Sequence, residues 1–350
     1  MKTLNYKILA FFLLLSAAAF AQKIDKKINK QFDANKNTNL IISNSFGNVI
    51  IQNTNSNSIT INVEIKVDAH TQKKAEKIFE KISVELTKSG NTVRAITNIN
   101  NISSNNSNFE INYTIVMPSY INTDLNNKYG DVIINELTGK NTINVKYGSL
   151  NANRIIDDNT KPLTSIELGF CSKSKINEFN WGKIIIKYSE LQIDKGQAIV
   201  VSSKYSELTL GNFSSIVSEC SFDDYKIEEV ANIVMNARYT NITVRNIKNK
   251  LDITNKYGDI NIKYIAPTFN KINIDSRFTN VNVDVDENAE YKMQLSAGYG
   301  DIDIDVSNFV TVKRIKSDFN ISISGYKGKE TATPFINISS EYGDIDVNDN

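Results

Sequence analysis

Lys187-Tyr-Ser-Glu-Leu-Gln-Ile193 is followed by Lys204-Tyr-Ser-Glu-Leu-Thr-Leu210, with the two tyrosines 17 residues apart. The pattern returns downstream as Arg238-Tyr-Thr-Asn-Ile-Thr-Val244, Lys256-Tyr-Gly-Asp-Ile-Asn-Ile262, Arg277-Phe-Thr-Asn-Val-Asn-Val283, Gly298-Tyr-Gly-Asp-Ile-Asp-Ile304 and Glu341-Tyr-Gly-Asp-Ile-Asp-Val347. Upstream it reads Lys128-Tyr-Gly-Asp-Val-Ile-Ile134 and Lys146-Tyr-Gly-Ser-Leu150. Weaker copies centre on Phe46, Phe170, Phe222 and Phe319. From Tyr129 to Tyr342 the aromatic anchors recur at spacings of 17 to 23 residues. Self-similarity at such a period is the signature of a stacked-repeat architecture.

Each unit alternates like a strand. Counting the aromatic as position 0, apolar residues stand at +3 and +5, as in Ile260 and Ile262, and again at +8, as in Phe213 and Val230. Before the anchor they stand at −6 and −4, as in Ile272 and Ile274. Alternation with polar residues is the strand period. Inward parity switches at the anchor, which a one-residue bulge or corner does. A small residue at +1, Gly, Ser or Thr in most copies, suits a tight bend. This parity carries the aromatic itself inward, as a packed column through Tyr129, Tyr147, Tyr188, Tyr205, Phe222, Tyr239, Tyr257, Phe278, Tyr299 and Tyr342. The alternative is an exposed aromatic ladder for a ligand.

A unit this short cannot bury its apolar face alone, and stacking units does bury it. The expected fold is all-β: a parallel β-helix or β-solenoid of 17–23-residue coils over residues 119–350, stacked about 4.8 Å apart. Residues 22–118 read as a β-rich cap with one short helix. Ile59 to Val67 alternates as a strand, and Thr71 is a plausible N-cap for a helix with Ala75, Ile78, Phe79 and Ile82 on one face. Lys88-Ser-Gly-Asn91 signals a hairpin, and Pro118 stops the strand from Phe109 to Met117. Leu40 to Ile51 already matches the repeat around Phe46.

Residues 1–21 read as a signal peptide. Lys2 and Lys7 precede an apolar run from Ile8 to Phe20, and Ala19-Phe20-Ala21 is an A-x-A site, so cleavage falls between Ala21 and Gln22. The run is short of the ~20 residues a membrane span needs, and no later stretch is apolar enough to cross a bilayer. The residue after the cut is Gln22, which argues against a lipoprotein anchor. The expected destination is the periplasm, the cell surface or the medium. Charge is balanced at 40 basic and 39 acidic residues, without the concentrated basic face of a nucleic-acid binder. Cys171 and Cys220 lie three coils apart, beyond disulfide reach.

An exported chain with a strand-helix-hairpin block, an Ile111-Asn-Tyr-Thr-Ile115 strand and repeated Lys-Tyr-Gly-Asp-Ile units resembles the bacterial putative-adhesin β-strand-repeat family. The resemblance covers nearly the whole mature chain and implies a solenoid fold. It carries over no catalytic residues.

Chemistry is sparse. His70 is the only histidine, beside the helix start and outside any catalytic motif. One histidine and two separated cysteines make no zinc set. Asp301, Asp303 and Asp305 share a strand face, with Asp344 and Asp346 two anchors later, but the calcium β-roll pattern is missing, and a solvated acidic face is the reading. β-Helix folds also host glycan-active enzymes, whose clefts need longer loops than spacings of 17 and 18 leave. Between Phe170 and Trp181 the pattern breaks, with Lys173 and Lys175 where apolar residues belong; an inserted loop residue or a functional feature accounts for it. No cofactor, metal or catalytic residue is expected.

The sequence therefore points to an exported, non-enzymatic adhesin or envelope binding protein presenting a regular lateral surface, with a glycan or envelope protein as partner. A structural or signalling accessory of the periplasm is the alternative, and a glycan-active enzyme comes last. Position −1 is basic in Lys128, Lys146, Lys187, Lys204, Arg238, Lys256 and Arg277, and +2 is acidic or amide in Asp131, Glu190, Glu207, Asp224, Asn241, Asp259 and Asn280. Lys187, Glu190, Lys204 and Glu207, in the most regular repeats, are the candidate binding residues.

Overall fold

The computed structural model describes residues 22–69, 71–100, 108–157 and 164–350. The expected leader with Ala21 of its expected cleavage site, and His70, fall outside them, and Gln22 opens the first strand. The chain is all-β, with one helix among the described residues. None of the described helices is long and apolar enough to cross a membrane.

The regular middle shows the repeat at its plainest. Strands β14 (Glu190–Lys204), β15 (Glu207–Ser221), β16 (Asp224–Arg238) and β17 (Asn241–Lys256) pair in parallel, each residue opposite the one 17 positions on until a bulge after Val230. Each strand runs from one aromatic to the next and bends midway, giving two arms per coil. Apolar residues line the inside of both arms: Leu208 and Leu210 before the bend, Ile216 after it. The arms face each other, since the Tyr225 hydroxyl on one meets the Ser203 and Ser218 hydroxyls on the other, each at 2.7 Å. Parallel strands buried on one face and solvated on the other must alternate, and they do. Outward amides also stack rung on rung, as Asn337 on Asn273 and Asn273 on Asp252.

Coils are not stacked in chain order at either end. β2 (Asn39–Ser45) lies between β6 (Thr92–Ile99) and β8 (Asn122–Lys128), and β3 (Val49–Asn53) between β7 (Asn108–Met117) and β9 (Val132–Leu137). The Phe46 coil is thus slotted under the Tyr129 coil. At the other end β25 (Phe335–Glu341) and β26 (Ile345–Asp349) are inserted between β19/β20 (Lys271–Arg277, Val281–Val285) and β21/β22 (Tyr291–Gly298, Ile302–Asp305). The expected order Phe278, Tyr299, Phe319, Tyr342 is corrected to Phe278, Tyr342, Tyr299, Phe319. The coils share one consensus, so a late copy fits any vacant edge.

Antiparallel strands then cover the exposed edges. β4 (Ser58–Ala69) pairs β7 and is itself covered by β1 (Gln22–Asp33); β5 (Ile82–Ser89) pairs β6 through a turn with Gly90 at φ 56°. β24 (Asn320–Lys327) pairs β21, and β23 (Phe309–Lys316) pairs β24. Such coverage blunts edges that would otherwise template aggregation. Helix α1 (Gln72–Phe79) buries Ala75 and Ile78, and the Thr71 hydroxyl accepts the Lys74 N–H at its start.

The break after Phe170 is a one-residue insertion. Ser174 pairs with Leu191, a +3 position, although it is +4 from its own anchor. Lys173 takes up the extra residue at φ 50°, and Lys173 and Lys175 both face out.

Candidate interaction face

The aromatic corner is the chemically distinctive part of each coil. Twelve of the anchors, Phe46 through Tyr342, have φ between 51° and 66°. The left-handed region costs an L-residue roughly 1–2 kcal/mol and is ordinarily left to Gly or Asn. Its effect is to turn the chain by one residue. Positions −2 and +1 face the core, while −1 and 0 both face out. The expectation of an inward aromatic column is therefore corrected: the rings stand outside, 38–58% exposed at every rung but Tyr257, which is partly buried.

They form one continuous ladder. Phe46, Tyr129, Tyr147, Phe170, Tyr188, Tyr205, Phe222, Tyr239, Tyr257, Phe278, Tyr342, Tyr299 and Phe319 stack in that spatial order, with centroids 4.6–5.1 Å apart. Phe109 closes the lower end, tilted at 51°. Offset stacking of this kind contributes about 0.5–1.5 kcal/mol per pair, which offsets much of the backbone cost. Because each ring covers its neighbour's face, the inner rungs offer rims and hydroxyls rather than open π faces.

Charged columns flank the ladder. On one side, the Lys204, Lys256 and Arg277 cations lie 5.0, 5.5 and 5.3 Å from the centroids of the Tyr205, Tyr257 and Phe278 rings, beside the rims of the stack. On the other side stands the +2 column, with Glu190, Glu207, Asp224 and Asp259. Lys187, Glu190, Lys204 and Glu207 are all exposed on these two flanks, separated by Tyr188 and Tyr205. Glu207 also takes an ion pair from Lys226 at 2.6 Å.

Beneath the ladder, +1 is a buried polar spine. The Ser189, Ser206 and Thr240 hydroxyls donate to the carbonyls of Lys187, Lys204 and Arg238, two residues back, at 2.7–2.9 Å. Each coil's +1 N–H can then reach the next coil's +1 side chain: Cys171 N–H to Ser189 Oγ at 2.9 Å, Ser206 N–H to Asp223 Oδ1 at 2.7 Å. Two corner forms exist. In Tyr-Ser-Glu coils pairing resumes at +2, with Glu207 N–H on Ser189 O. In Tyr-Gly coils it resumes at +3, with Val132 N–H on Ser149 O. The Gly form brings backbones together: a Cβ on Gly130 would sit 2.1 Å from the Gly47 carbonyl oxygen.

Asp223 is the one carboxylate at +1. It accepts from Ser203 Oγ, Ser206 N–H and Ser221 N–H, yet burial outweighs these bonds and raises its pKa. Cys220 beside it is pushed up to about 12, first by burial and then by the Asp223 charge. The signal for this cluster was in the repeat, as an Asp where most coils have Gly, Ser or Thr and a Tyr where most have Leu, Ile or Val. Cys171 and Cys220 are both buried and unbridged.

Other features are minor. A shallow groove of about 710 Å³ crosses the outer face of β3, β9, β11 (Leu150–Ile155) and β13 (Ser174–Lys187), lined by Ile50, Ile133, Lys175 and stacked asparagines. Asp301 and Asp344 sit on adjacent rungs, the Asp301 N–H donating to Asp344 Oδ1 at 2.9 Å. Burial, then Asp303 and Asp344, raise the Asp346 carboxyl. Among the described residues no group of three His, Cys, Asp or Glu is disposed to hold a metal ion.

Residues 176–348 match the Toastrack DUF4097 family. No curated protein matches the chain. Among solved structures, a putative cell adhesion protein from Clostridium sporogenes is 12% identical, with 93% of this chain and 100% of that one covered at a TM-score of 0.21. A putative adhesin from Bacteroides fragilis is 11% identical, with coverage of 93% and 97% and a TM-score of 0.30. A putative lipid binding protein from Parabacteroides distasonis is 13% identical, with coverage of 73% and 93% and a TM-score of 0.33. Superposition this loose carries no argument about the present chain.

Proposed function

From a chain whose residues 176–348 belong to the Toastrack DUF4097 family, we infer an exported, non-catalytic adhesin-like protein of the cell envelope that binds through its aromatic corner. In this reading residues 1–21 are a cleaved leader, residues 22–118 a cap, and residues 119–350 a solenoid of 17–23-residue coils. The partner is a glycan or envelope protein, contacted along the ladder and its charged flanks. The observation that carries the reading is the exposed ladder. A corner at positive φ calls for glycine, and an aromatic rung there adds apolar surface on the outside. Contiguous exposed apolar surface beyond a few hundred Å² marks interaction sites. The ladder's twelve half-exposed rings, at about 150–250 Å² per buried ring, amount to an aromatic strip on the order of 1,000 Å².

The triple variant Tyr188→Ser/Tyr205→Ser/Tyr239→Ser interrupts the strip where the coils are most regular. Binding of the purified protein to intact cells or extracted envelope is expected to fall at least tenfold, with an unchanged far-UV spectrum. The variant Lys187→Ser/Glu190→Ser/Lys204→Ser/Glu207→Ser tests the flanks and is expected to weaken the same binding. Undiminished binding by both would assign the ladder to corner packing, and the protein to the structural accessories of the envelope.

A further inference from the structure

We propose that the partner of the aromatic ladder is a second copy of this chain, paired face to face about a two-fold axis parallel to the solenoid. The proposal rests on the reading of the ladder as a binding face and names its occupant.

The ladder repeats every 4.6–5.1 Å over thirteen rungs, the spacing of stacked strands. A surface able to meet it rung for rung must repeat at the same interval, and another ladder of the same chain does.

Charge then selects the orientation. Across the ribbon, the order is basic column, rings, acidic column. A two-fold axis along the solenoid exchanges left and right between the facing copies, so each basic column meets the other copy's acidic column. A two-fold axis across the ribbon would keep left and right, and would set lysine against lysine and carboxylate against carboxylate. Both signs occur in the same coil at four rungs: Lys128 with Asp131, Lys187 with Glu190, Lys204 with Glu207, and Lys256 with Asp259. In the parallel pairing Lys204 of one copy faces Glu207 of the other, and the reverse, at one height. Cross pairs of this kind fix register and partner more than they add affinity.

Area supports the same occupant. An aromatic strip on the order of 1,000 Å² on each copy reaches the 1,200–2,000 Å² total of a stable protein interface. The arrangement is isologous and closes at two copies. Parallel pairing of this kind joins copies that point the same way, side by side on one surface.

The test uses the mature chain. Sedimentation is expected to give a dimer for the parent. Lys187→Glu/Lys204→Glu and Glu190→Lys/Glu207→Lys are each expected to raise the dimer dissociation constant at least tenfold, and an equimolar mixture of the two to restore pairing. Orientation is read from single substitutions Tyr147→Cys and Tyr299→Cys, far from the middle of the ladder, treated with a short bismaleimide. Parallel pairing places each introduced thiol opposite its own copy, so both variants cross-link as homodimers. Buried Cys171 and Cys220 leave the parent uncross-linked. A dimer in which neither variant cross-links would overturn the parallel arrangement. A parent that stays monomeric at tens of micromolar would overturn self-pairing. If that monomer still binds cells and loses binding in the Tyr188/Tyr205/Tyr239 variant, the binding face survives with a different partner; if it shows no ladder-dependent binding, the proposed function falls with the pairing.

Discussion

Removing residues 335–350 is expected to unfold far more than sixteen residues. Strands β25 and β26 pair on both sides, with β19/β20 below and β21/β22 above. Their loss leaves the two flanking coils each with an unpaired side and takes Ile336, Ile338, Ile345 and Val347 out of the core they fill. It also takes Tyr342 from between Phe278 and Tyr299, and Asp349 from its 2.6 Å ion pair with the nearly buried Lys327. The destabilisation should exceed about 5 kcal/mol, at the upper end of what single lesions produce. Amide hydrogen exchange checks it: residues 291–327 are expected to lose protection, while β14 to β17 keep theirs. Retained protection across β21 and β24 would mean that this end is stacked in chain order.

The second large effect is at Gly130. Its φ lies outside the left-handed region, so the constraint is proximity and not backbone freedom. A Cβ would stand 2.1 Å from the Gly47 carbonyl oxygen, and Gly148 repeats the contact one rung on, at 2.1 Å from the Gly130 oxygen. No flexible side chain is available to give way. Gly130→Val should therefore prise two rungs apart and cost about 3–5 kcal/mol. Ser206→Gly is the control. It removes the hydroxyl bond to the Lys204 carbonyl and the long 3.4 Å acceptor of the Ser189 N–H, and should cost only about 1–2 kcal/mol. Denaturant midpoints of the two variants measure the difference. Equal, small shifts would show that the Gly form of the corner tolerates side chains.

The strand phases were legible because alternation is a direct imprint of one-sided burial: Leu208, Leu210, Ile260 and Ile262 point inward as the pattern implies. The direction of the aromatics was not. Apolar residues at −6 and −4 extrapolate to an inward ring at 0, and only a residue at positive φ breaks that series. Backbone twist of this kind leaves little trace in hydrophobic pattern. The trace it does leave is at +1, where Ser189, Ser206 and Thr240 are small and polar because they, and not the rings, face the interior. Coil order was illegible for a different reason. Tyr299 and Tyr342 sit in almost identical heptads, so nothing local states which of them follows Phe278. The flanking charges were legible as outward, and Lys187, Glu190, Lys204 and Glu207 do border the ladder. The buried Asp223–Tyr225 cluster was readable only as two departures from consensus.

The repeat's aromatics stand outside the solenoid as a ladder. Tyrosine nitration of the native protein, mapped by mass spectrometry at a dilution that keeps copies apart, tests it most directly. Tyr129, Tyr147, Tyr188, Tyr205, Tyr239 and Tyr299 have exposed rings and are expected to react. Tyr113, Tyr225 and Tyr291 are fully buried, and burial raises their pKa, that of Tyr113 to about 12, so they are expected to stay unmodified until the chain unfolds. Protection of the ladder tyrosines at that dilution, with modification of Tyr113 and Tyr225, would return the rings to the core and contradict the account.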